Sequence, residues 1–133
     1  MTAIRDLQTL LANLAPQRLE GDWVFCSLPA ASAEQEQALL NEAMASFRES
    51  EGLSLLLPLR TAQANALHYD GVFHGITLKV HSSLHAVGLT AAVASCLARE
   101  GISANVIAAS RHDHVFVPAG DSERALSTLK KLG

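Results

Sequence analysis

The most informative part of the chain begins with Ile76-Thr-Leu-Lys-Val80 and continues through His81-Ser-Ser-Leu-His-Ala-Val-Gly88. The first part predicts a strand, and the serine-rich second part predicts a corner. An apolar segment from Leu84 to Glu100 follows with helical spacing, and Gly101 is well placed to end that helix. A strand that runs into a helix leaves unpaired N–H groups at the helix start, and these bind small anions such as a carboxylate. The stretch therefore predicts a site for a small molecule.

The rest of the sequence predicts further helices and strands. The expected helices are one over Ile4–Leu14, a short one at Leu59–Leu67, and a last one capped by Asp121 or Ser122 that runs to Lys130. The expected strands are Asp22–Leu28, a hairpin of Ala43–Glu49 with Leu53–Leu57, Val72–Val80, Asn105–Ala109 and Val115–Val117. The segment Ala30–Leu40 is expected to be weakly helical at best.

The two halves show the same coarse order of elements, which indicates a weak internal duplication. Such strand–helix–strand–strand–helix–strand repeats build an α+β, ferredoxin-like sandwich, with an antiparallel sheet and helices on one face. Two repeats need eight strands, whereas the sequence predicts about six. Three explanations are open. Either the strand Val72–Val80 serves both halves, or the first strand of the chain pairs with the second half, or another subunit completes the sheet. The predicted divisions are an N-terminal helix (1–20), a degenerate first repeat (21–70) and a second repeat (71–133).

Composition narrows the class of protein. Hydrophobic residues make up 49% of the chain and charged residues 17%, so disorder is excluded and polar surface is scarce. We therefore expect part of the apolar surface to be covered by a second copy, as in a homodimer. The net charge of −3 and the lack of a basic cluster beyond Lys130-Lys131 argue against a nucleic-acid partner.

The cysteines and the apolar segments indicate where in the cell the protein is located. Cys26 and Cys96 show no metal-binding or redox spacing, so we expect buried thiols of a reduced, cytoplasmic protein. Met1–Leu14 lacks the pattern of a signal peptide, and no apolar segment approaches the roughly 20 residues that a membrane span needs. The sequence predicts a soluble protein without a membrane partner.

The corner and the segments around it resemble the ACT-domain proteins, which are small regulatory modules that bind amino acids. The residues from Val80 to Ile107 are similar to the effector-binding ACT repeats of aspartate kinases, in which a glycine-bearing corner precedes the helix. The chain more closely resembles bacterial stand-alone tandem-ACT proteins of unassigned function, related to the ACT repeats of CASTOR-type arginine sensors. The matching segments are Phe47–Leu53, His81–Leu84, Val87–Ala92 and His112–Pro118. Ser110–His114 departs from the Thr-Ser-Glu segment of the kinase repeats.

The pattern and the resemblance together predict a ligand site. A ligand carboxylate would lie on the N–H groups of Ala86, Val87 and Gly88, with Ser82 and Ser83 completing the loop. The ligand ammonium would meet the facing strand, and the residues expected there are Asn105, Ile107 and Asp113. The alternative is that Ser83 only caps the helix and that Gly88 only permits close packing.

The helix after the corner has too few polar residues for a surface helix. Leu89, Val93 and Leu97 are expected to face a neighbouring subunit, or else to be covered by the N-terminal helix of the same chain. His112 and His114 have the spacing of two zinc ligands on a strand, but no third ligand is evident, so neither a metal nor another cofactor is predicted.

Catalysis is not predicted either. The serines, histidines and Asp113 lack the strained elbow that activates a nucleophile. Glu49 and Glu51 are typical of a solvated turn. The sequence therefore predicts a non-catalytic regulatory module that binds an amino acid. The alternatives are a structural or protein-binding dimer without a ligand and, less favoured, a histidine metal site.

Overall fold

The structure is a computed structural model that describes residues 3–132. Met1, Thr2 and Gly133, where some of the predicted limits fall, lie outside the described residues. The α-helices are α1 (Leu7–Ala12), α2 (Ala33–Glu42), α3 (Leu59–Ala64), α4 (Leu89–Arg99) and α5 (Ser122–Lys130). The strands are β1 (Pro16–Arg18), β2 (Trp23–Leu28), β3 (Ala45–Glu49), β4 (Gly52–Pro58), β5 (Phe73–Leu78), β6 (Asn105–Ala108) and β7 (Asp113–Pro118).

The chain divides into two compact units. The central unit contains Gly21–Phe73, and the flanking unit contains the described residues up to Glu20 together with those from His74 onward. Each unit combines strands with helices, so the predicted α+β class is confirmed.

The central unit has the strand order β3-β4-β2, and both pairs are antiparallel. Alternate residues of the two longer strands point to one face, as the period of a pleated strand requires. That face forms the core with one side chain from α2 and one from α3. The buried residues of this core are Val24, Cys26, Leu28, Leu39, Leu53, Leu55, Leu57 and Ala62.

The flanking unit has four strands in the order β1-β5-β7-β6. β1 runs antiparallel to β5, with Pro16 opposite Leu78, and β6 runs antiparallel to β7. Helices α1, α4 and α5 cover one face of these strands. Their shared core contains Leu10, Leu14, Ile76, Leu78, Val80, Leu89, Val93, Cys96, Leu97, Ile102, Val115, Val117, Ala125 and Leu129.

The structure corrects two predictions near the start of the chain. Ile4 is not helical, because its backbone forms a parallel bridge with Ser82. The strand β1, which is three residues long and begins with a proline, was not predicted. This strand supplies the fourth strand of the flanking unit.

The prediction that the segment after Pro29 is weakly helical was wrong. Residues Ala33–Glu42 form a ten-residue helix, whose start is capped by Ser32. The Ser32 hydroxyl accepts a hydrogen bond from the Gln35 N–H at 3.1 Å, and Glu34 and Glu36 place negative charge at the positive end of the helix. These local stabilising contacts compensate for the small apolar face of the helix.

A substitution at Gly75 in β5 would test how tightly the flanking unit is packed. A Cβ atom at Gly75 would lie 2.7 Å from Phe116 Cε2 and 2.9 Å from Leu19 Cδ1. We expect Gly75→Ala to lower the free energy of unfolding by about 2 kcal/mol, because these side chains must move apart. Gly120→Ala is the matched control, since nothing lies within 4 Å of its Cβ position. Equal urea midpoints for the two variants would contradict this expectation.

Both cysteines are buried, as predicted, and burial raises the pKa of each thiol. Among residues 3–132, none of the helices is long and apolar enough to cross a membrane.

Candidate functional site

Ile4, which is not part of the loop between β5 and α4, holds that loop in place through two backbone hydrogen bonds. The Ile4 N–H donates to the His81 carbonyl at 2.8 Å, and the Ser83 N–H donates to the Ile4 carbonyl at 2.9 Å. These two bonds fix the backbone on either side of Ser82. The loop therefore leaves the strand along a defined path.

A tight turn follows within the same loop. The Ser83 hydroxyl accepts a hydrogen bond from the His85 N–H at 3.0 Å, and the Ser83 carbonyl accepts one from the Ala86 N–H at 3.0 Å. Gly88 then adopts a left-handed conformation with φ of 102°, which glycine accommodates far more readily than other residues. Helix α4 consequently begins at Leu89, and the prediction of a helix from Leu84 is corrected.

The start of α4 carries free hydrogen-bond donors. The first helical bond runs from the Ala92 N–H to the Gly88 carbonyl at 2.9 Å. Within the described part of the chain, the N–H groups of Leu89, Thr90 and Ala91 have no acceptor. They take the place of the predicted Ala86 donor, which the turn already uses. Such a helix start favours an anion, because its N–H groups and the helix dipole act together.

Asp113, the first residue of β7, lies on the same side of that strand as the buried Val115. The residue is only 8% exposed. Among residues 3–132 its carboxylate makes no hydrogen bond, and its oxygens are not completely enclosed by protein. Burial raises the pKa of the Asp113 carboxyl above its usual range, while the neighbouring His114 acts in the opposite direction. A buried carboxylate without a partner is costly to the fold, which is typical of a functional group.

The helix start and Asp113 border the same cavity of about 350 Å³. This volume falls within the range of small-molecule pockets. Among the described residues of its wall, Asp113 is the only one with a charged side chain. The residues that line the cavity are Ser82, Ser83, Leu84, Ala86, Val87, Gly88, Leu89, Thr90, Ala91, Ala108 and Asp113.

The structure places six of the eight predicted ligand-binding residues around this cavity, namely Ser82, Ser83, Ala86, Val87, Gly88 and Asp113. Asn105 and Ile107 are not in its wall. The Asn105 amide instead donates to the Phe116 carbonyl at 3.2 Å, and Ile107 pairs with His114 in the hairpin. Thr90 and Ala91 also line the cavity but were not predicted, although the glycine two or three positions before them marks the helix start.

The three predicted interface residues lie in the core of the chain itself. Leu89, Val93 and Leu97 are 4%, 1% and 0% exposed. They pack in the flanking unit with Leu10 and Leu14, which lie on or beside α1. The alternative in which the chain's own N-terminal helix covers α4 is therefore the observed one, and these side chains have no surface left for a second copy.

The histidines near the β6–β7 turn are held by neighbouring groups. His114 Nδ1 lies 3.0 Å from the Thr77 hydroxyl, and His112 Nδ1 donates to the Val80 carbonyl at 3.2 Å. Burial lowers the pKa of His114, and the nearby His112 and Lys79 act in the same direction. In the described chain, no group of three or more His, Cys, Asp or Glu side chains is arranged to hold a metal ion.

The corresponding corner of the central unit, between β2 and α2, is built differently. The Ser32 hydroxyl already accepts a hydrogen bond from the Gln35 N–H in the first turn of α2, and Glu34 and Glu36 repel an anion there. The β3–β4 hairpin also approaches closely, since a Cβ atom at Gly52 would lie 2.7 Å from Pro29 Cα. The corner before α4 therefore has an open, uncapped helix start, and the corner before α2 does not.

Two models of the ACT domain match this sequence, one over residues 2–74 and the other over residues 73–131. The chain therefore belongs to the ACT domain family and carries two ACT domains in tandem. No curated protein matches the sequence significantly.

Solved structures show the same architecture. A Vibrio cholerae protein of unknown function, described as a possible transport protein, is 45% identical over 95% of this chain and 94% of its own, with a TM-score of 0.84. An Agrobacterium tumefaciens protein is 20% identical, with coverages of 89% and 87% and a TM-score of 0.69. The ligand-free regulatory subunit of aspartate kinase from Thermus thermophilus is 10% identical, with coverages of 91% and 98% and a TM-score of 0.67.

Proposed function

We propose that this protein is a non-catalytic regulatory module that binds one free amino acid in the cavity between the β5–α4 loop and β7. The observation that supports this most directly is that one small cavity has both groups that attract a negative charge and a group that attracts a positive charge. The helix start offers unpaired N–H groups to a carboxylate, and Asp113 offers a buried negative charge to an ammonium group.

The α-carbon of an amino acid carries these two groups side by side. The ligand carboxylate would accept hydrogen bonds from the N–H groups of Leu89, Thr90 and Ala91, at the positive end of the α4 dipole. The ammonium would pair with Asp113 and compensate for the cost of burying that carboxylate. The hydroxyl of Ser82, whose residue is 7% exposed, would provide a further polar contact.

The rest of the wall favours an uncharged ligand side chain. Leu84, Val87 and Ala108 are apolar, and Thr90 adds a hydroxyl. None of the wall residues that the structure describes is a lysine, arginine or histidine, so a second carboxylate would face Asp113 without a compensating charge. Aspartate and glutamate are therefore expected to bind poorly, and small uncharged amino acids best.

The family supports the regulatory part of the proposal. One similar structure is the regulatory subunit of an aspartate kinase, and ACT domains generally bind small molecules. A cytoplasmic location belongs to the same proposal and is supported by the two free thiols.

A homodimer is also part of the proposal, although its contacts must differ from the predicted ones. Within residues 3–132, the large apolar residues that remain exposed are Phe25, Met44, Phe47, Leu84 and Val87. Leu84 and Val87, at 67% and 84% exposed, also favour the second candidate function, a protein-binding module that needs no amino acid.

Thermal unfolding in the presence of each standard amino acid in turn tests the proposal. A specific ligand at about 100 times its dissociation constant adds about 2.7 kcal/mol of stability, so we expect one or a few uncharged amino acids to raise Tm by roughly 10 °C. The N-acetyl derivative of the best ligand is the matched control, since it lacks the ammonium and should have no effect. If none of the amino acids raises Tm, amino-acid binding is rejected and the protein-binding module is favoured.

A further inference from the structure

The segment Ile4–Leu7 contacts both ends of the loop that forms the cavity. At the first end, Ile4 makes its two backbone hydrogen bonds to His81 and Ser83. At the other end, Leu7 Cδ2 lies 3.0 Å from the position of a Cβ atom at Gly88, directly before the helix start. Both apolar side chains of the segment are partly buried against the core of the flanking unit.

The loop itself contains few bonds that would hold its shape. Within Ser82–Gly88, the described hydrogen bonds are the two that Ser83 accepts from His85 and Ala86. These close one turn but do not fix it relative to Asp113. The bonds to Ile4 do so, because they tie the backbone beside Ser82 to a segment anchored in the core.

We propose that Ile4 and Leu7 are positioning residues of the amino-acid site, so that docking of this segment and occupation of the cavity stabilise each other. The inference rests on the proposed function. A ligand that needs the loop in one conformation binds more tightly when the segment already holds that conformation. By thermodynamic reciprocity, the bound ligand must hold the segment in place by the same factor.

Reciprocity allows a test on the unaltered protein. Hydrogen exchange of the Ile4 amide is measured with and without a mixture of the standard amino acids. We expect exchange to slow by about tenfold, a common size for such coupling. The Met44 amide is the internal control, since it also makes a single bond outside the strand ladders, to the Leu56 carbonyl at 2.9 Å in the central unit. Its exchange should not change.

A pair of proline variants tests the same coupling from the other side. Ile4→Pro removes the donor to His81, whereas Arg5→Pro changes a neighbouring, exposed residue whose N–H has no acceptor among residues 3–132. We expect Ile4→Pro to weaken the response of Tm to the mixture, with at least about tenfold lower affinity, and Arg5→Pro to respond normally. Ile4→Val keeps the donor and the branched side chain, so it should behave like the unaltered protein.

The outcomes separate the two proposals. If the unaltered protein responds to the mixture but Ile4 exchange does not slow, the positioning role is overturned and amino-acid binding stands. A full response from folded Ile4→Pro would overturn it as well. If the unaltered protein does not respond at all, amino-acid binding fails and the positioning role fails with it. Should Ile4→Pro not fold, the exchange measurement decides alone.

Discussion

Asp113→Asn is expected to abolish the response to amino acids while making the unliganded protein more stable. The carboxylate is buried and has no hydrogen-bond partner in the described chain, so its removal should raise the free energy of unfolding at neutral pH by about 1 kcal/mol. Leaving a ligand ammonium unpaired should lower affinity roughly 100-fold or more. At the same ligand concentration, stabilisation would fall from about 2.7 to about 0.4 kcal/mol.

The pH dependence follows from the raised pKa of Asp113. A carboxyl whose pKa is higher in the folded state lowers stability as pH rises from its unfolded pKa to its folded pKa. The stability gain of Asp113→Asn should therefore be full at neutral pH and disappear in acid. Amino-acid binding by the unaltered protein should follow the same pH dependence: it should be full at neutral pH and lost in acid, as protonation removes the charge that pairs with the ammonium.

Asp121→Asn is the matched control for these measurements. Asp121 is also in the flanking unit, but it is partly exposed and pairs with Arg124 at 3.1 Å. Its replacement should change stability by less than about 0.5 kcal/mol and leave the amino-acid response intact. Urea unfolding and thermal unfolding with the amino-acid panel measure both effects. A normal response from Asp113→Asn would show that Asp113 does not receive the ammonium.

Leu89→Asp is expected to unfold the flanking unit, whereas Val87→Asp is expected to fold normally. Leu89 is 4% exposed and packs in the core, so a carboxylate there would be buried without a partner. The cost should be about 4 kcal/mol or more, a large part of the total stability of a typical domain. Val87, two residues earlier, is 84% exposed and its change should matter little to the fold.

Circular dichroism and urea unfolding distinguish these two variants. The comparison also separates two interpretations of the apolar helix, because a subunit interface would tolerate a charge at Leu89 in the isolated, folded chain. Retention of the normal unfolding midpoint in Leu89→Asp would show that Leu89 is not a core residue. The same midpoint in Val87→Asp would confirm that the rim of the cavity can be changed without loss of the fold.

Most strands were predictable because their signals are local. The hairpin around Gly52 and the strand that begins at Phe73 both follow from β-favouring residues bounded by turn residues. The helix Ala33–Glu42 was underestimated although its cap is local, whereas the errors at the start of the chain occurred where the deciding contact is distant in sequence. β1 is a strand because it pairs with β5, and Ile4 is extended because it bridges to Ser82.

The candidate site was predictable to a similar extent. The Ser-rich corner and the glycine before α4 identify the cavity wall, since capping and left-handed backbone depend on residue type. The prediction of the residues on the facing strand was less accurate. Asp113 lies in the wall as expected, whereas Asn105 bonds across its own hairpin and Ala108 lines the wall instead. The twist and register of a hairpin decide which side chains reach a neighbouring loop.

The α+β class, the tandem repeats and the position of the corner follow from local sequence patterns, because hydrophobic period, turn residues and caps act over a few neighbouring positions. Only the tertiary structure decided that α4 is covered by α1, that α4 starts at Leu89, and that Asp113 is buried beside free N–H groups. These features depend on contacts between residues far apart in the chain, whose partners no local pattern specifies.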